Sequence, residues 1–266
     1  MPSGNSNSSN MGTPPSNAQG QNGMQNQESE TKMETSKCIL LGVEGLIIAI
    51  LITYMELSRF NKLTIREALK STATVTNSTL TASGTGNRGE TDQAGIMIYQ
   101  SMSGDEREGT GTFTATNSNL SIQTNSKYYK TAPMFFITNT DAIINLKNCK
   151  LSYGSNTLIS SKGTTEWGTT GSNGGNLTLN AEDQTLEGNI EIDNISILKM
   201  NLTNSKYTET INAENIAKQI DLKIDSNTKI KLTGNSYVTS LEDEDTTYGN
   251  IDFNEYTLYV NGTAIN

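Results

Sequence analysis

From Ser71 to Asn266 the chain alternates apolar and polar residues in short runs, each closed by Asn, Asp, Gly or Ser. Alternation of period two predicts strands, and the polar punctuation predicts tight turns between them. Strand starts recur at Leu177, Leu198, Leu222 and Ile251, with offsets of 21, 24 and 29 residues. A second strand follows in each unit, at Leu186 to Ile192, Tyr207 to Ile211, Ile230 to Leu232 and Leu258 to Val260, and the remaining length suits a third face. The bends fall at Asn204-Ser205, Asp225-Ser226-Asn227, Gly234-Asn235 and Asn261-Gly262, residue types that accept tight or left-handed backbone. Units of this length, with short strands and no helical period between them, are what one coil of a β-solenoid requires.

The earlier units are looser but related. Ala73 to Leu80 (ATVTNSTL) and Phe113 to Leu120 (FTATNSNL) nearly repeat each other 40 residues apart, and Ile143 to Leu151 is a third variant. Stacking such coils would turn Val75, Leu80, Phe113, Leu120, Ile144, Leu146, Leu177, Leu179, Met200, Leu202, Leu222 and Ile224 inward. Each buried Leu or Ile then contributes about 1.5–3 kcal/mol, realised only when another coil covers it. An antiparallel immunoglobulin-type sandwich would instead show unrelated units and a core Trp. Here Trp167 is the single Trp and lies in a Gly/Thr loop, so the near-repeats favour the solenoid.

Upstream the pattern changes. Residues 1–36 are polar and low in complexity, too poor in apolar surface to offset chain entropy, and read as a disordered leader. Cys38 to Met55 is an apolar run of 18 residues interrupted only by Glu44. At about 1.5 Å per residue it reaches about 27 Å, close to the thickness of the bilayer hydrocarbon, so residues 37–56 read as a transmembrane helix. The long polar leader argues against a cleaved signal peptide. Residues 57–71 alternate basic and apolar positions in a way that predicts an amphipathic juxtamembrane helix. The basic residues after the span, Arg59, Lys62, Arg66 and Lys70, outnumber Lys32 and Lys37 before it, which by the positive-inside tendency places the β region in the cytoplasm. An Asn/Thr-rich solenoid is instead expected on the outside of the cell, anchored in the membrane through residues 38–55.

Composition narrows the function. Residues 1–70 carry 6 basic and 6 acidic side chains and residues 71–266 carry 13 and 22, so the net charge of −9 belongs to the β region. Such a surface repels phosphate backbones and excludes nucleic acid as a partner. There is no histidine, which removes Ser-His-Asp, Cys-His and His-ligated zinc chemistry. Cys38 begins the apolar span and Cys149 falls in a predicted strand, so the two make no disulfide framework.

The runs AGIMIYQSMSGD (Ala94 to Asp105), GTFTATNSNL (Gly111 to Leu120), EWGTTGSNGGNLTLN (Glu166 to Asn180), IKLTGNSYVTSL (Ile230 to Leu241) and NIDFNEYTLYVNGTAIN (Asn250 to Asn266) resemble membrane-anchored right-handed parallel β-helix surface proteins of clostridial-type Gram-positive bacteria, of the adhesin-like or carbohydrate-binding-domain kind. The resemblance implies an all-β, right-handed parallel β-helix over residues 72–266, preceded by one transmembrane helix and the disordered leader. It departs in one respect: Lys70 runs almost directly into a solenoid unit, so the chain looks like a shortened member. It implies architecture more than activity, because fold does not fix function.

Three kinds of chemistry are worth weighing. Lyases on β-helices need a basic residue beside calcium-binding carboxylates, and the basic residues here are dispersed, so no enzyme and no catalytic residue is expected. Glu242-Asp243-Glu244-Asp245 and Asp105-Glu106-Arg107-Glu108 offer oxygen ligands for calcium, without an established ligand spacing. Trp167, with Tyr128 and Tyr129 between Lys127 and Lys130, offers planar rings for sugar faces, with Asn and Thr nearby for hydroxyls. Carbohydrate binding, with an extracellular polysaccharide as partner, is what the resemblance implies and these rings suit, and it is the first expectation. The second is a spacer or adhesive solenoid that meets a surface protein and no glycan.

Overall fold

The computed structural model describes residues 63–66, 71–83, 93–100 and 109–266. The expected leader, the span over 38–55 and the acidic loop Asp105 to Glu108 lie outside them. Every regular element among the described residues is a strand, and the strands fall into three faces. The long face stacks Thr72–Thr76, Thr110–Thr116, Thr140–Lys147, Gly175–Glu182, Ile197–Thr203, Gln219–Ile224 and Ser240–Asp243 in chain order, all parallel. After most of these the chain bends into a short strand of the second face, in two groups: Thr79–Ala82, Asn119–Ile122 and Lys150–Ser152, then Thr185–Glu187, Lys206–Thr208, Lys229–Lys231 and Ile251–Asp252. It returns through the front face, which pairs Leu63–Arg66, Ile96–Tyr99, Phe135–Thr138, Thr157–Ser161 and Asn189–Ile192.

The front face continues beyond Ile192. Ile190 bridges Ile211, the Tyr237 N–H donates to the Ile211 carbonyl at 2.9 Å, and Ser236–Val238 pairs with Leu258–Val260. Among the described strands only Thr263–Ile265 runs antiparallel, turned back through Asn261 and Gly262. Parallel pairing in chain order on three faces is the arrangement of a β-solenoid, and it excludes the antiparallel sandwich. One circuit shortens along the chain, from 40 residues at Thr81 and Ser121 to 19 at Lys223 and Glu242.

The core follows from alternation. All of the residues expected to face inward, from Val75 to Ile224, belong to one continuous cluster, Val75 and Leu80 at its partly covered end. Ladders on the outside of the long face join the coils as well: Asn145 donates to Thr114 at 3.1 Å, Asn180 to Asn145 at 2.8 Å and Asn201 to Asn180 at 2.8 Å. Stacked amides of this kind satisfy each other at the coil repeat, as in cross-strand pairs.

The corner between the long and second faces is built from a repeated pair. Asn77, Asn117, Asn148, Asp183 and Asn204 all have φ between 45° and 52°, a left-handed bend that Asn and Asp tolerate best after Gly. The following residue lends its side chain to the coil before it. Ser118 Oγ accepts the Ser78 N–H at 3.2 Å, Ser205 Oγ accepts that of Gln184 at 3.1 Å, and Thr228 Oγ1 accepts that of Ser205 at 3.2 Å. Where strand pairing lapses, a side-chain oxygen thus takes the orphaned backbone donor.

Several expectations are corrected. Leu63–Arg66 form a strand parallel to Ile96–Tyr99, not part of an amphipathic helix; the order Leu-Thr-Ile-Arg also has the period of a strand. Leu177 and Leu198 are partners as expected, but Leu222 pairs with Met200, and Ile251 stacks on Ile230 in the second face. Connections between faces vary in length, so equal spacing along the chain does not set register. Leu186 to Ile192 is two strands, bent at Gly188 (φ 117°). Cys149 lies not in a strand but at the corner, buried and free.

Candidate functional site

The front face differs from the other two because its first strands lack alternation. Ile96–Tyr99 is buried at every position, as is Phe135–Thr138, so both sides of the sheet are covered there. Inward go Ile96, Phe135, Ile159 and Ile190 in register; outward go Met97, Phe136, Ser160 and Glu191. The outward position continues through Asn212 and Tyr237 to Tyr259. On the outside Ala94, Met97, Tyr99 and Phe136 form a second small apolar cluster, separate from the core.

Trp167 packs against that cluster. Its ring lies 4.3 Å from the Tyr99 ring, centroid to centroid, tilted by 31°. The loop carrying it is held by Asn173, whose buried amide donates to the Thr164 carbonyl at 2.5 Å and the Trp167 carbonyl at 2.6 Å. Gly168, at φ 77°, lets the loop pass close to Asn139, where a Cβ would collide with the Asn139 side chain. The indole is half-buried, with the Tyr99 ring beneath it.

The two expected tyrosines part company. Tyr128 borders the front face beside Phe136, with the Lys127 ammonium 4.7 Å from its ring centroid. Tyr129 instead packs its ring on Gly154, where a Cβ would collide with it, and its carbonyl accepts the Gly154 N–H. Trp167 and Tyr128 thus share the surroundings of Phe136, whereas Tyr129 holds a turn.

Below Trp167 and Tyr128 the front face is concave. One hollow of about 270 Å³ is lined by Gln93, Tyr128, Phe136, Ser160, Lys162 and Glu191. A second, of about 300 Å³, is lined by Lys162, Glu191, Asp193, Thr210, Asn212 and Ile216. Ser160, Lys162 and Glu191 belong to both, so the two form one groove along the stack. Lys162 places its ammonium 5.5 Å from the Phe136 ring centroid. Glu191 accepts from the Thr157 hydroxyl at 3.1 Å, and Asp193 accepts the Gly163 N–H at 2.8 Å and the Ile195 N–H at 3.2 Å. Ile216, 46% exposed, offers apolar surface at the rim. Farther along the row, the Tyr237 and Tyr259 rings stack 4.8 Å apart and 7° from parallel. A groove with rings at one end, polar side chains along its floor and stacked rings farther on can hold a ligand that has both flat apolar faces and hydroxyls.

A larger hollow of about 500 Å³ lies at the break in the second face, near Cys149, Tyr153, Gly154, Asp183 and Glu187. It is explained by packing. Gln184 fills the missing rung, its side chain accepting the Cys149 N–H at 2.8 Å and donating to the Cys149 carbonyl at 2.5 Å. Tyr153, whose hydroxyl donates to the Glu187 carbonyl, is pushed well above the ordinary tyrosine range by burial, with Glu187 and Glu209 adding to the effect.

The carboxylates considered for calcium serve separate tasks. Glu242 pairs with Lys223 at 2.7 Å, Asp243 accepts from the Asp245 N–H at 2.8 Å and from Asn250, Glu244 receives the Ser226 N–H, and Asp245 caps its turn through Thr247. Among the described residues no cluster of three or more metal-ligating side chains occurs.

Tyr99, Phe136, Lys162, Glu191, Tyr237 and Tyr259 are groove or platform residues that the pattern of the chain does not single out by type. Two signals for them exist: the unbroken apolar runs at Ile96 and Phe135, and the matching Ser-Tyr-Val and Leu-Tyr-Val at Ser236 and Leu258. No protein family, curated protein or solved structure matches the chain.

Proposed function

We propose that residues 72–266 form a right-handed parallel β-helix, anchored through residues 38–55 and displayed on the cell surface, which binds carbohydrate on its front face without catalysis. The right hand follows from the strong preference of parallel crossovers. The observation that carries the binding reading is the placement of Tyr128 and Phe136 in a groove with Ser160, Lys162 and Glu191, with Trp167 packed on the outer apolar cluster that includes Phe136. Rings stack on sugar faces while hydroxyl, amide and carboxylate groups bond sugar hydroxyls. Lys162 is the one basic side chain among the described residues of the groove, and Asp193 beside it is occupied by backbone donors, so a lyase-type constellation is unsupported.

A second reading, a surface spacer that meets a protein partner, draws on Tyr129 and on the covered side of Trp167, both used in packing. A glycan array separates the two. Binding lost in Tyr128→Ala, with the folded state intact by circular dichroism, supports the carbohydrate reading. Binding to no glycan, with capture of a defined surface protein, supports the spacer. Protease shaving of intact cells tests the display: release of fragments from residues 72–266 is expected, and full protection overturns it.

A further inference from the structure

Resting on that reading and deepening it, we infer that the ligand is an uncharged, extended glycan lying along the stack, and that polyuronate chains are excluded.

The direction comes from the row of outward positions. Phe136, Ser160, Glu191 and Asn212 occupy the same register on four successive coils, and Tyr237 and Tyr259 continue it. Adjacent parallel strands lie about 4.8 Å apart. That step is comparable with the advance of one pyranose ring along an extended glycan chain. Phe136, Ser160 and Asn212 are buried in this row, so successive rings would meet the coils through Glu191 and the accessible side chains beside the row, Tyr128, Lys162 and Glu214. The two hollows run the same way, joined at Ser160, Lys162 and Glu191, and Phe136 to Asn212 spans three steps, about 14 Å. A chain crossing the groove would instead run along the front strands and meet only one or two coils.

The charge comes from the lining. Glu191, Asp193 and Glu214 give the second hollow three carboxylates to the single ammonium of Lys162. Asp193 accepts two backbone N–H groups, so its charge is fixed in place. The β region carries 22 acidic and 13 basic side chains overall, which adds a field of the same sign. A glycan with a carboxylate on every ring would set like charges beside Glu191 and Glu214. A neutral chain uses the same oxygens as acceptors for its hydroxyls.

The test is calorimetric titration of the full chain in detergent with cello-, xylo- and manno-oligosaccharides of two to six rings, and with hexagalacturonate. At least one neutral hexaose should bind, with affinity rising at each added ring up to four or more, and hexagalacturonate should bind about tenfold more weakly or not at all. Glu191→Gln combined with Glu214→Gln keeps oxygen acceptors and removes two charges; it should narrow the difference between the two ligand classes to about threefold or less. Hexagalacturonate binding as tightly as the neutral chain, or affinity that saturates at two rings, overturns the inference and leaves carbohydrate binding standing. Binding of no oligosaccharide at all overturns both.

Discussion

The Trp167 indole rests on the Tyr99 ring at 4.3 Å, joining a loop between two coils to a strand of an earlier one. The contact gives the front face a second apolar layer outside the solenoid core. It also makes the only tryptophan of the chain a reporter for that outer layer.

Trp167→Ala should therefore cost stability as well as binding. Because the ring is half-buried, a loss of about 1–3 kcal/mol is expected, below that of a fully buried aromatic. Urea denaturation followed by far-ultraviolet circular dichroism measures it. In the wild type, intrinsic fluorescence should shift on titration with a bound glycan, since the indole packs on the cluster that includes Phe136, a residue of the groove lining.

Tyr207→Phe tests a buried hydroxyl. Its ring is fully enclosed and its hydroxyl donates toward the carbonyls of Gly188 at 3.1 Å and Thr210 at 2.8 Å, the bend that separates second and front faces. Burial raises its ionisation well above the usual range. Removing the hydroxyl leaves the carbonyls short of a donor and should lower stability by about 1–2 kcal/mol, read as a drop in the denaturation midpoint without change in slope.

Asn204→Ala should destabilise by about 1–2 kcal/mol, because alanine is poorly suited to φ 45° and loses the bond to Asp183. Asn204→Gly restores the backbone freedom but not the ladder, so it should fall between wild type and Asn204→Ala in thermal unfolding.

Acid sensitivity should pass in part through Asp225. Burial alone would raise its carboxyl, but hydrogen bonds from the Thr228 hydroxyl and from the Asn204 and Thr228 backbones outweigh this and hold it below the usual range. A lowered value in the folded state stabilises at pH above the unfolded value of about 3.9, and that contribution is lost as pH falls through the folded value. Asp225→Asn should therefore be less stable than wild type near neutrality, and the gap should close as pH drops below about 4. A gap that stays constant with pH would remove Asp225 from the acid response.

Much of this architecture is legible in the chain because alternation and the Asn-Ser corner repeat locally. Leu177 and Leu198, or Leu80 and Leu120, can be paired from sequence because they sit at the same distance from equivalent corners, Asp183-Gln184 and Asn204-Ser205 for the first pair, Asn77-Ser78 and Asn117-Ser118 for the second. Spacing alone misregisters Leu222 by two positions, because the connection after Ile211 sets the register of Gln219–Ile224, and a shift of two leaves the alternation unchanged. The site is half legible. Trp167 and Tyr128 stand out by residue type, but their company depends on contacts from distant coils: Asn173 drawing in the loop carbonyls and Phe136 supplying the shared surface. Tyr129 reads the same as Tyr128 in sequence, and only the turn at Gly154 shows why it packs differently.

The reversed strand Thr263–Ile265 folds back on Leu258–Val260 and so presents an edge of the wrong polarity to a parallel coil from another copy. The long face closes with Ser240–Asp243, followed at once by Glu244 and Asp245, so an incoming strand there meets repulsion. A backbone laid out as a ladder of identical rungs invites endless addition. The hairpin and the acidic rung oppose it in two ways, by direction and by charge.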